Sequence, residues 1–552
     1  MSTNKLATAL AATLVMAGAA CAQPSNTLSA PASDAKAMGW MQGFPPAADK
    51  TIRFTDPDYF AFPKLRWTVC HFRELMPTVG VGNGSQGARE LHMQMDASLD
   101  AVSFNPLGTK TRMTWKDAFD ANYTDGVIVL HHGRVVYERY SGCLGPDTLH
   151  GAMSVTKSLT GLLGETLVAE GVLNENAKVR DLVPELQKSA FADATVRQVM
   201  NMTTALAYSE DYADPKAEVW TYANAGSPLP KPAGYTGPRS YFEFLQTVQK
   251  KGTHGEAFGY KTINSDTLGW IIARVTGKSV AEQLSERIWS RIGAQREAFY
   301  TVDSIGTPFA GGGFNATLRD TARLGQMLLD GGRVGSEQIV PPAAIARIRG
   351  GGDKATFAKA GYTLLPGWSY GGMWWVSHDD HGAYAARGVH GQTIWIDPKA
   401  DMVIVRFASN PVAANAASDP TSLPAYRAVA KHLMANDSNP LAGEEWVIED
   451  IAGGDIIDNS HATLQFLSDG KVAGSTGCNR LMGSYEINGK QLTIQPGGTT
   501  MMACPPALMN QERKLLNLLP TIRQFRVDAT GALILQSDKG VTVLARRNGK
   551  AK

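Results

Sequence analysis

Four segments of this chain place a serine three residues before a lysine, and the segment at Ser154 and Lys157 also opens a helical pattern. Residues three apart on a helix share one face, so the amine of Lys157 would lie within reach of the Ser154 hydroxyl. The N-terminus of a helix favours a developing negative charge. The pair therefore predicts a serine nucleophile with a lysine base. An N-cap serine followed by a solvated lysine is the alternative. The helical pattern consists of apolar residues at helical spacing, ended by a glycine: Leu159, Leu162, Leu163, Leu167 and Gly171.

The other three S-x-x-K segments begin at Ser2, Ser33 and Ser468. They lie at the extreme N-terminus, in a polar leader and in an apparent β-turn, and none of them opens a helix. A further serine, Ser369, stands in a G-x-S-x-G pattern, which is typical of a strand–nucleophile–helix turn. Here Pro366 precedes the pattern and a strand-like stretch follows it. We therefore reject Ser369 as the nucleophile.

The elements that must position Ser154 alternate between strands and helices, which predicts an α/β (α+β) fold. A hairpin is predicted near Val127–Tyr137, and residues 224–239 form a Gly- and Pro-rich stretch typical of a lid or cleft wall. Further strands are predicted at 370–376, 383–387, 393–396 and 402–407. Helices are predicted at 195–200, 270–275, 319–329 and 424–434.

Two histidine-containing turns resemble metal clusters, but each is better explained as a turn. His131 and His132 fall at the tip of the predicted hairpin, and the polar stretch Ser377–Gly382 joins two predicted strands. We therefore predict no metal and no cofactor.

Composition and the chain ends predict an exported protein with two folded parts. Residues 1–22 read as a signal peptide with an A-x-A cleavage site, and Cys21 as a lipid-attachment site is the alternative. Residues 23–60 read as a flexible leader. After the leader we predict a large hydrolase domain over 61–436, a linker over 437–442 and a strand-rich module over 443–552. We expect a periplasmic or secreted location.

The net charge of +2 and the lack of a basic cluster, apart from a short C-terminal tail, argue against nucleic-acid binding. No segment after the signal is long and apolar enough for a membrane helix. Four cysteines remain after cleavage, which permits disulfides in an exported protein. Cys478 and Cys504 form the favoured pair because both lie in the C-terminal module. Cys70 with Cys143 lacks such support, and four buried thiols is the alternative.

Three motifs occur in a fixed order: Ser154 with Lys157, then Tyr260 ahead of a Leu-Gly helix, then Val389-His390-Gly391-Gln392. This order resembles the serine β-lactamase and penicillin-binding-protein superfamily, on its class C and family VIII esterase side. Among its members the likeness is to 6-aminohexanoate-dimer hydrolases. The resemblance implies an antiparallel sheet flanked by helices, with a helical subdomain beside it and the site between them.

The resemblance also implies roles for individual residues. Ser154 would be acylated, Lys157 would act as base, and Tyr260 would pass a proton to the leaving group. The backbone N–H groups of Ser154 and Gln392 would form the oxyanion hole. The residues that would contact substrate are Tyr208, Thr262, His390 and Gly391. An ordinary loop position for Tyr208 and a packed position for His390 are the alternatives.

The chain also departs from the superfamily pattern. Thr262 stands where many β-lactamases have asparagine, and Val389-His390-Gly391 replaces the Lys-Thr-Gly triplet whose lysine helps hold a β-lactam carboxylate. Gly311 stands where the nylon-oligomer enzymes have a polar residue. The sequence therefore favours a small ester or amide as substrate. A β-lactamase, a D-Ala-D-Ala peptidase and a non-catalytic binding protein on the same fold are the alternatives.

The C-terminal module resembles the META (HslJ-like) domain through Trp446, Gly477-Cys478-Asn479-Arg480 and the stretch from Thr499 to Pro505. From this resemblance we expect a small, mainly β, non-catalytic module that stabilises the chain or binds an envelope partner. The sequence does not predict an oligomeric state.

Overall fold

The computed structural model describes residues 27–211, 214–437, 439, 441–443, 445–467, 470–488, 490–528 and 531–547. The predicted signal peptide, including Cys21, lies outside the described residues, as do Ser2 and Ser468. The chain divides into two compact units, one of residues 1–95 and 103–427 and one of residues 96–102 and 428–552.

The first unit is built on an antiparallel sheet of seven strands, as the sequence predicts for the fold class. Six of the seven strands are fully buried because helices pack against the sheet, and the edge strand Arg134–Tyr140 is partly exposed. The predicted strand at 370–376 is a hairpin instead, because Gly372 and Met373 both adopt positive φ and turn the chain. In sheet order the strands are Ser369–Gly371, Trp374–Val376, Tyr384–Gly388, Gln392–Asp397, Met402–Ala408, Thr124–His131 and Arg134–Tyr140.

A smaller antiparallel sheet of four strands supports the segment just before Ser154. Its strand order is Thr78–Val81, Ala298–Thr301, Phe314–Ala316 and His150–Gly151. Three two-stranded ribbons complete the β-structure described for this unit: Ser103–Phe104 with Met113–Thr114, Leu206–Ala207 with Gln249–Lys250, and Arg333–Val334 with Glu337–Gln338.

The helix Val155–Ala169 lies closely against the sheet because Gly161 carries no side chain. A Cβ on Gly161 would stand 2.0 Å from the carbonyl oxygen of Gly372. A hydrogen bond also joins the strand to the helix, since the Trp374 indole N–H donates to the Ser158 carbonyl at 2.9 Å. The remaining helices that lie wholly in this unit are Leu65–Thr68, Phe72–Leu75, Trp115–Ala121, Val179–Leu182, Val196–Met200, Glu218–Gly226, Tyr241–Thr247, Ile263–Thr276, Val280–Leu284, Leu318–Leu329, Pro342–Gly350 and Lys354–Ala358.

Within residues 27–60, where composition predicts a flexible leader, several large side chains are buried. Trp40, Ile52, Tyr59 and Phe60 are buried in one apolar cluster that also contains Met153, the residue before Ser154. Composition misled here because the Ala-, Pro- and Ser-rich stretch carries a few large side chains that find a shared core.

The second unit is a strand-rich barrel, consistent with the predicted mainly β module. Its first long strand pairs with its last, which closes eight strands into a ring, and a short strand extends the edge. A helix, Pro506–Leu518, contributes Leu515 to the barrel core. The strands are Glu445–Ile451, Gly454–Asp455, Ala462–Phe466, Lys471–Thr476, Arg480–Asn488, Gln491–Thr499, Ile522–Val527, Leu533–Ser537 and Thr542–Arg547.

The two compact units divide at 427/428, inside the helix Asp419–Asp437, and the predicted linker 437–442 begins where this helix ends. This helix begins earlier and ends later than the predicted 424–434. Residues 96–102 group with the second unit, which the linear order of the chain does not reveal. None of the described helices is long and apolar enough to cross a membrane.

Two disulfides are present among the described residues. Cys478 pairs with Cys504, as the sequence favours, and Cys70 pairs with Cys143, the pair for which the sequence offered no support. The Cα atoms lie 6.0 and 6.1 Å apart, within the usual range for a disulfide. The alternative of four buried thiols is therefore wrong.

The two histidine-containing turns are held by protein partners. His381 contacts the Asp397 carboxylate at 2.7 Å, and Asp380 pairs with Arg427 at 2.6 Å. His132 contacts Asp401 at 2.6 Å at the tip of the first hairpin. These contacts give His132, Asp380 and His381 protein partners, and the expectation that neither turn binds a metal stays a prediction.

Candidate active site

Ser154 is the N-cap residue of the helix Val155–Ala169, but its side chain makes no capping hydrogen bond. The structure therefore does not contain the alternative arrangement, in which the Ser154 hydroxyl caps the helix and Lys157 is solvated. Met153 adopts a left-handed backbone with φ of 48°, which turns the chain from the small sheet into the helix. Such strain at a non-glycine residue is typical of functional positions.

Lys157 is fully enclosed, with 1% of its surface exposed, so it is not a solvated lysine. Its Nζ donates to Ser154 Oγ at 2.9 Å and to the carbonyl oxygen of Gly311 at 2.5 Å. Burial lowers the pKa of Lys157 to about 8, although the carboxylates of Glu210 and Asp266 act to raise it. The amine therefore exchanges its proton close to neutral pH, as a general base should.

Tyr260 completes the cluster. Its phenol interacts with the Ser154 hydroxyl, and the Lys157 Nζ lies 5.3 Å from the centre of its ring. Burial raises the pKa of Tyr260 well above its usual value, so the phenol keeps its proton. Trp375 and Tyr370 pack around the ring at 5.5 and 5.9 Å. The structure thus brings together the three side chains that the sequence predicts as catalytic.

Glu210 is a site residue that the sequence reasoning missed. Its carboxylate accepts a hydrogen bond from the Thr262 backbone N–H and lies 3.3 Å from the Thr262 hydroxyl. Desolvation raises the pKa of Glu210, while Lys157 and Thr262 act to lower it. Thr262 therefore holds a carboxylate that faces the lysine. The only sequence signal was the acidic loop that contains Glu210.

The structure explains why position 311 is a glycine, where the nylon-oligomer enzymes have a polar residue. A Cβ at this position would stand 2.4 Å from the Thr262 methyl group. Because Thr262 fills that space, only glycine lets this segment present its carbonyl oxygen to Lys157.

The strand beside the Ser154 amide approaches it through Gly388, not through Gln392. A Cβ on Gly388 would stand 2.9 Å from both Ser154 N and Ala152 O. Val389, the next residue, is the sole partly exposed residue between Ala383 and Asp397, all of which are described. The Gln392 side chain bonds to the backbone of Ala408 at 2.6 and 3.0 Å. The strand Tyr384–Gly388 thus ends beside the Ser154 amide, and the oxyanion role of the Gln392 N–H stays a prediction.

His390 and Gly391 turn away from the nucleophile. His390 is buried, its Nδ1 bonds to the Asn410 carbonyl at 2.7 Å, and its ring packs edge-on against Phe60. Burial lowers the pKa of His390 to about 4, so the ring is neutral. Gly391 presents its carbonyl to Arg406 at 2.9 Å. These contacts favour the packed alternative for His390 and give Gly391 a structural role.

Tyr208 is buried in an aromatic cluster, with ring contacts to Tyr222 at 6.2 Å and Phe244 at 5.9 Å. It lies two residues from Glu210, so its loop reaches the site while its ring packs into the helical part. The loop alternative fits this placement, and contact with substrate stays a prediction.

Ser369 is fully buried on a strand, and its hydroxyl contacts His378 Nε2 at 2.7 Å. It also accepts the Gly352 N–H at 3.1 Å. The Ser369 hydroxyl is thus engaged by His378 and Gly352 within the sheet, and its rejection as the nucleophile stays a prediction.

Comparison with known proteins agrees with this geometry. Residues 118–424 match the β-lactamase family, and residues 439–550 match the META domain. A 6-aminohexanoate-dimer hydrolase from Paenarthrobacter ureafaciens is 35% identical over 351 residues, which cover 63% of this chain and 86% of that protein. A solved structure named "putative 6-aminohexanoate-dimer hydrolase" from Bacillus anthracis is 32% identical with a TM-score of 0.61. That match covers 68% of this chain and 96% of the other.

The sheet, the helical part and the Ser-Lys-Tyr cluster define a serine hydrolase of the β-lactamase fold. The chain belongs to the β-lactamase family, with a META domain after it, and it is related to 6-aminohexanoate-dimer hydrolases.

Proposed function

We propose that this protein is an exported serine hydrolase that cleaves esters or small amides through an acyl-enzyme on Ser154. The observation that carries the proposal is the buried contact of 2.9 Å between Lys157 Nζ and Ser154 Oγ, with the Tyr260 phenol interacting with the same hydroxyl. A nucleophile, a base and a proton carrier thus converge on one oxygen.

In the acylation step, Ser154 Oγ attacks the substrate carbonyl carbon and its proton passes to neutral Lys157. The carbonyl oxygen becomes an oxyanion that needs two N–H donors. We assign these donors to the backbone of Ser154, at the helix N-terminus, and of Val389, which follows the glycine that approaches the Ser154 amide. The oxyanion is therefore stabilised by fixed backbone dipoles.

The leaving amine or alcohol then takes a proton through Tyr260, whose phenol remains protonated because its pKa is raised. The bond to the leaving group breaks as this proton arrives, which leaves the acyl group on Ser154. Lys157 returns its proton to Tyr260 and is neutral again. Water then attacks the acyl carbonyl carbon and gives a proton to Lys157. Ser154 Oγ takes that proton as its bond to the acyl group breaks and the acid product leaves.

The lack of a lysine anchor argues for esters and small amides over β-lactams. If Gly388 rather than Gly391 is the glycine that matches the Lys-Thr-Gly triplet of β-lactamases, the matching triplet is Ala386-Arg387-Gly388. This triplet also contains no lysine. The Arg387 guanidinium is buried and paired with Asp419, so its charge is already neutralised. Neither register supplies an unpaired cation for a β-lactam carboxylate.

Export is supported by the two disulfides, because such bonds persist in oxidising compartments. The predicted signal peptide over 1–22 adds to this. We propose a periplasmic or secreted enzyme whose META domain serves as a stabilising or partner-binding module.

The test is a substrate panel measured on wild type, Ser154→Ala and Ser369→Ala. The panel contains p-nitrophenyl butyrate, 6-aminohexanoate dimer, nitrocefin and a D-Ala-D-Ala peptide. We expect turnover of the ester or the dimer, a loss of at least ~10³-fold in Ser154→Ala, and little change in Ser369→Ala. Rapid nitrocefin or peptide turnover would contradict the substrate class, and no Ser154-dependent turnover would favour a binding protein.

A further inference from the structure

A second buried carboxylate, Asp266, lies beside the catalytic cluster, and the steps above do not use it. Asp266 stands in the first turn of the helix Ile263–Thr276, six residues after Tyr260, and is 4% exposed. Its Oδ2 accepts a hydrogen bond from the Tyr222 hydroxyl at 2.6 Å. A buried carboxylate with one strong neutral donor needs a reason to be there, since burial of a charge is costly.

Asp266 and Lys157 are linked through one short backbone segment. The Asp266 carboxylate interacts with the backbone N–H of Ala310, and Lys157 donates to the carbonyl of Gly311. Thr160, one helical turn after Lys157, donates to the Ala310 carbonyl at 2.9 Å. The segment thus contacts the nucleophile helix through Lys157 and Thr160, and it lies against the Asp266 helix, since a Cβ on Gly269 would stand 3.0 Å from the Ala310 Cβ.

Aromatic side chains keep water away from this carboxylate. The ring centre of Tyr222 lies 5.4 Å from that of Tyr241 and 6.4 Å from that of Phe309. The rings of Tyr241 and Phe309 stack with their centres 5.3 Å apart. In such surroundings a single charge acts strongly on a neighbouring charge because little solvent screens it.

We propose that Asp266, held by Tyr222, is a positioning residue that sets the protonation and orientation of Lys157. The inference rests on the proposed function, in which Lys157 is the base. When Asp266 is ionised it favours the protonated amine and thus opposes base action. When Asp266 holds a proton this opposition is removed.

The other charged and titratable groups near the pair raise or lower the pKa of Lys157 or of Asp266. Glu210 raises the pKa of Lys157 in the same way as Asp266. Burial raises the pKa of Asp266 to about 7, with Asp303 adding to the rise, while Tyr222, Lys157 and the Ala310 N–H lower it. The groups that face the pair are Ser154, Tyr260 and Glu210 around Lys157, and Tyr222, Tyr241 and Asp303 around Asp266.

The test compares Asp266→Asn with wild type by the pH dependence of kcat/KM on the panel substrate that turns over. Asparagine keeps the size of the side chain and removes its charge. We expect the rise of activity with pH to move to lower pH by about one unit. Tyr222→Phe should move the profile in the same direction by a smaller amount. Without the Tyr222 hydrogen bond, the Asp266 carboxyl keeps its proton to higher pH and so opposes the neutral Lys157 amine less. An unmoved profile in both folded variants would overturn the proposal.

Matched controls are Asp330→Asn and Tyr300→Phe. Asp330 is also a carboxyl whose pKa is raised by burial, and Tyr300 is also a buried tyrosine, but neither is among the groups that act on Lys157. Both should leave the profile unchanged. If either control moved it as far as Asp266→Asn does, the effect would not be specific and the proposal would fail.

A second measurement separates this inference from the proposed function. Competitive labelling with acetic anhydride across pH, read by mass spectrometry at the Lys157 peptide, follows the lysine without turnover. If wild type hydrolyses nothing on the panel, the proposed function fails. The role of Asp266 is then judged by whether Asp266→Asn moves the Lys157 labelling curve to lower pH, and an unmoved curve overturns it.

Discussion

At the scale of residues, the chemistry of this site is decided by the surroundings of one lysine. Burial lowers the pKa of Lys157 to about 8, and two carboxylates oppose that shift. Desolvation of the amine has the larger effect because Lys157 is enclosed, and desolvation also raises the pKa of both carboxylates. The neutral amine is therefore available near physiological pH, and activity should rise with pH through about 8.

Glu210 is the larger of the two opposing charges on Lys157. In Glu210→Gln that charge is lost, while the amide oxygen still accepts the Thr262 N–H. We expect the pH at which kcat/KM reaches half its maximum to fall by about one unit, measured on an ester substrate. Glu218→Gln is the matched control, since Glu218 accepts the Ser209 N–H on the same loop but is not among the groups that act on Lys157. An unchanged profile in Glu210→Gln would contradict this account of the lysine.

At the scale of elements, the site depends on how closely a strand end approaches a helix N-terminus. The strand Tyr384–Gly388 ends against the Ser154 amide, and the 3₁₀ turn Val389–Gly391 then carries the chain to the strand Gln392–Asp397. His390 in this turn adopts a left-handed backbone with φ of 62°. The turn thus sets which N–H groups face the nucleophile.

Gly388→Ala tests this approach. The added Cβ would stand 2.9 Å from two backbone atoms, which cannot yield as a flexible side chain would. We expect a loss of about 1–3 kcal/mol in the free energy of unfolding, and a fall of ~10²-fold in kcat as the oxyanion donors separate.

The control for Gly388→Ala is Gly350→Ala, because nothing lies within 4 Å of its Cβ position. Thermal unfolding and kcat on p-nitrophenyl butyrate measure both variants. Full activity in Gly388→Ala would show that the strand does not support the oxyanion.

At the scale of the whole molecule, the N-terminal segment is part of the catalytic unit. The Val69 carbonyl accepts the Gly151 N–H at 2.8 Å, and Cys70 beside it is bonded to Cys143. This disulfide joins residues 73 positions apart, and the segment it secures lies against the approach to Ser154. Stability and activity are therefore coupled through the same contact.

The double variant Cys70→Ala/Cys143→Ala should lose about 2–4 kcal/mol of unfolding free energy, because the unfolded chain regains the freedom of a long loop. We expect kcat to fall as well, since the strand before Ser154 loses support. Cys478→Ala/Cys504→Ala is the comparison, and it should lower stability while kcat at 25 °C is retained. Unfolding in urea and ester turnover provide the measurements, and equal kcat in the two double variants would contradict the coupling.

The sequence by itself put forward Ser154 and Lys157 from their helix-opening spacing, and Tyr260 from likeness to a family; the structure brings the three side chains together. It also predicted the antiparallel sheet with flanking helices, the META module and the Cys478–Cys504 pair. Each of these follows from patterns that span a few tens of residues or from likeness to a family.

Only the tertiary structure decided which residues surround those three. Glu210, Asp266 and Gly311 come from separate segments, and nothing local marks them as neighbours of one lysine. The approach of Gly388 to the Ser154 amide, the burial of His390 and the burial of large side chains within residues 27–60 likewise depend on contacts between distant segments. Spacing determines which groups share a helix face, but burial and long-range contacts determine their protonation and reach.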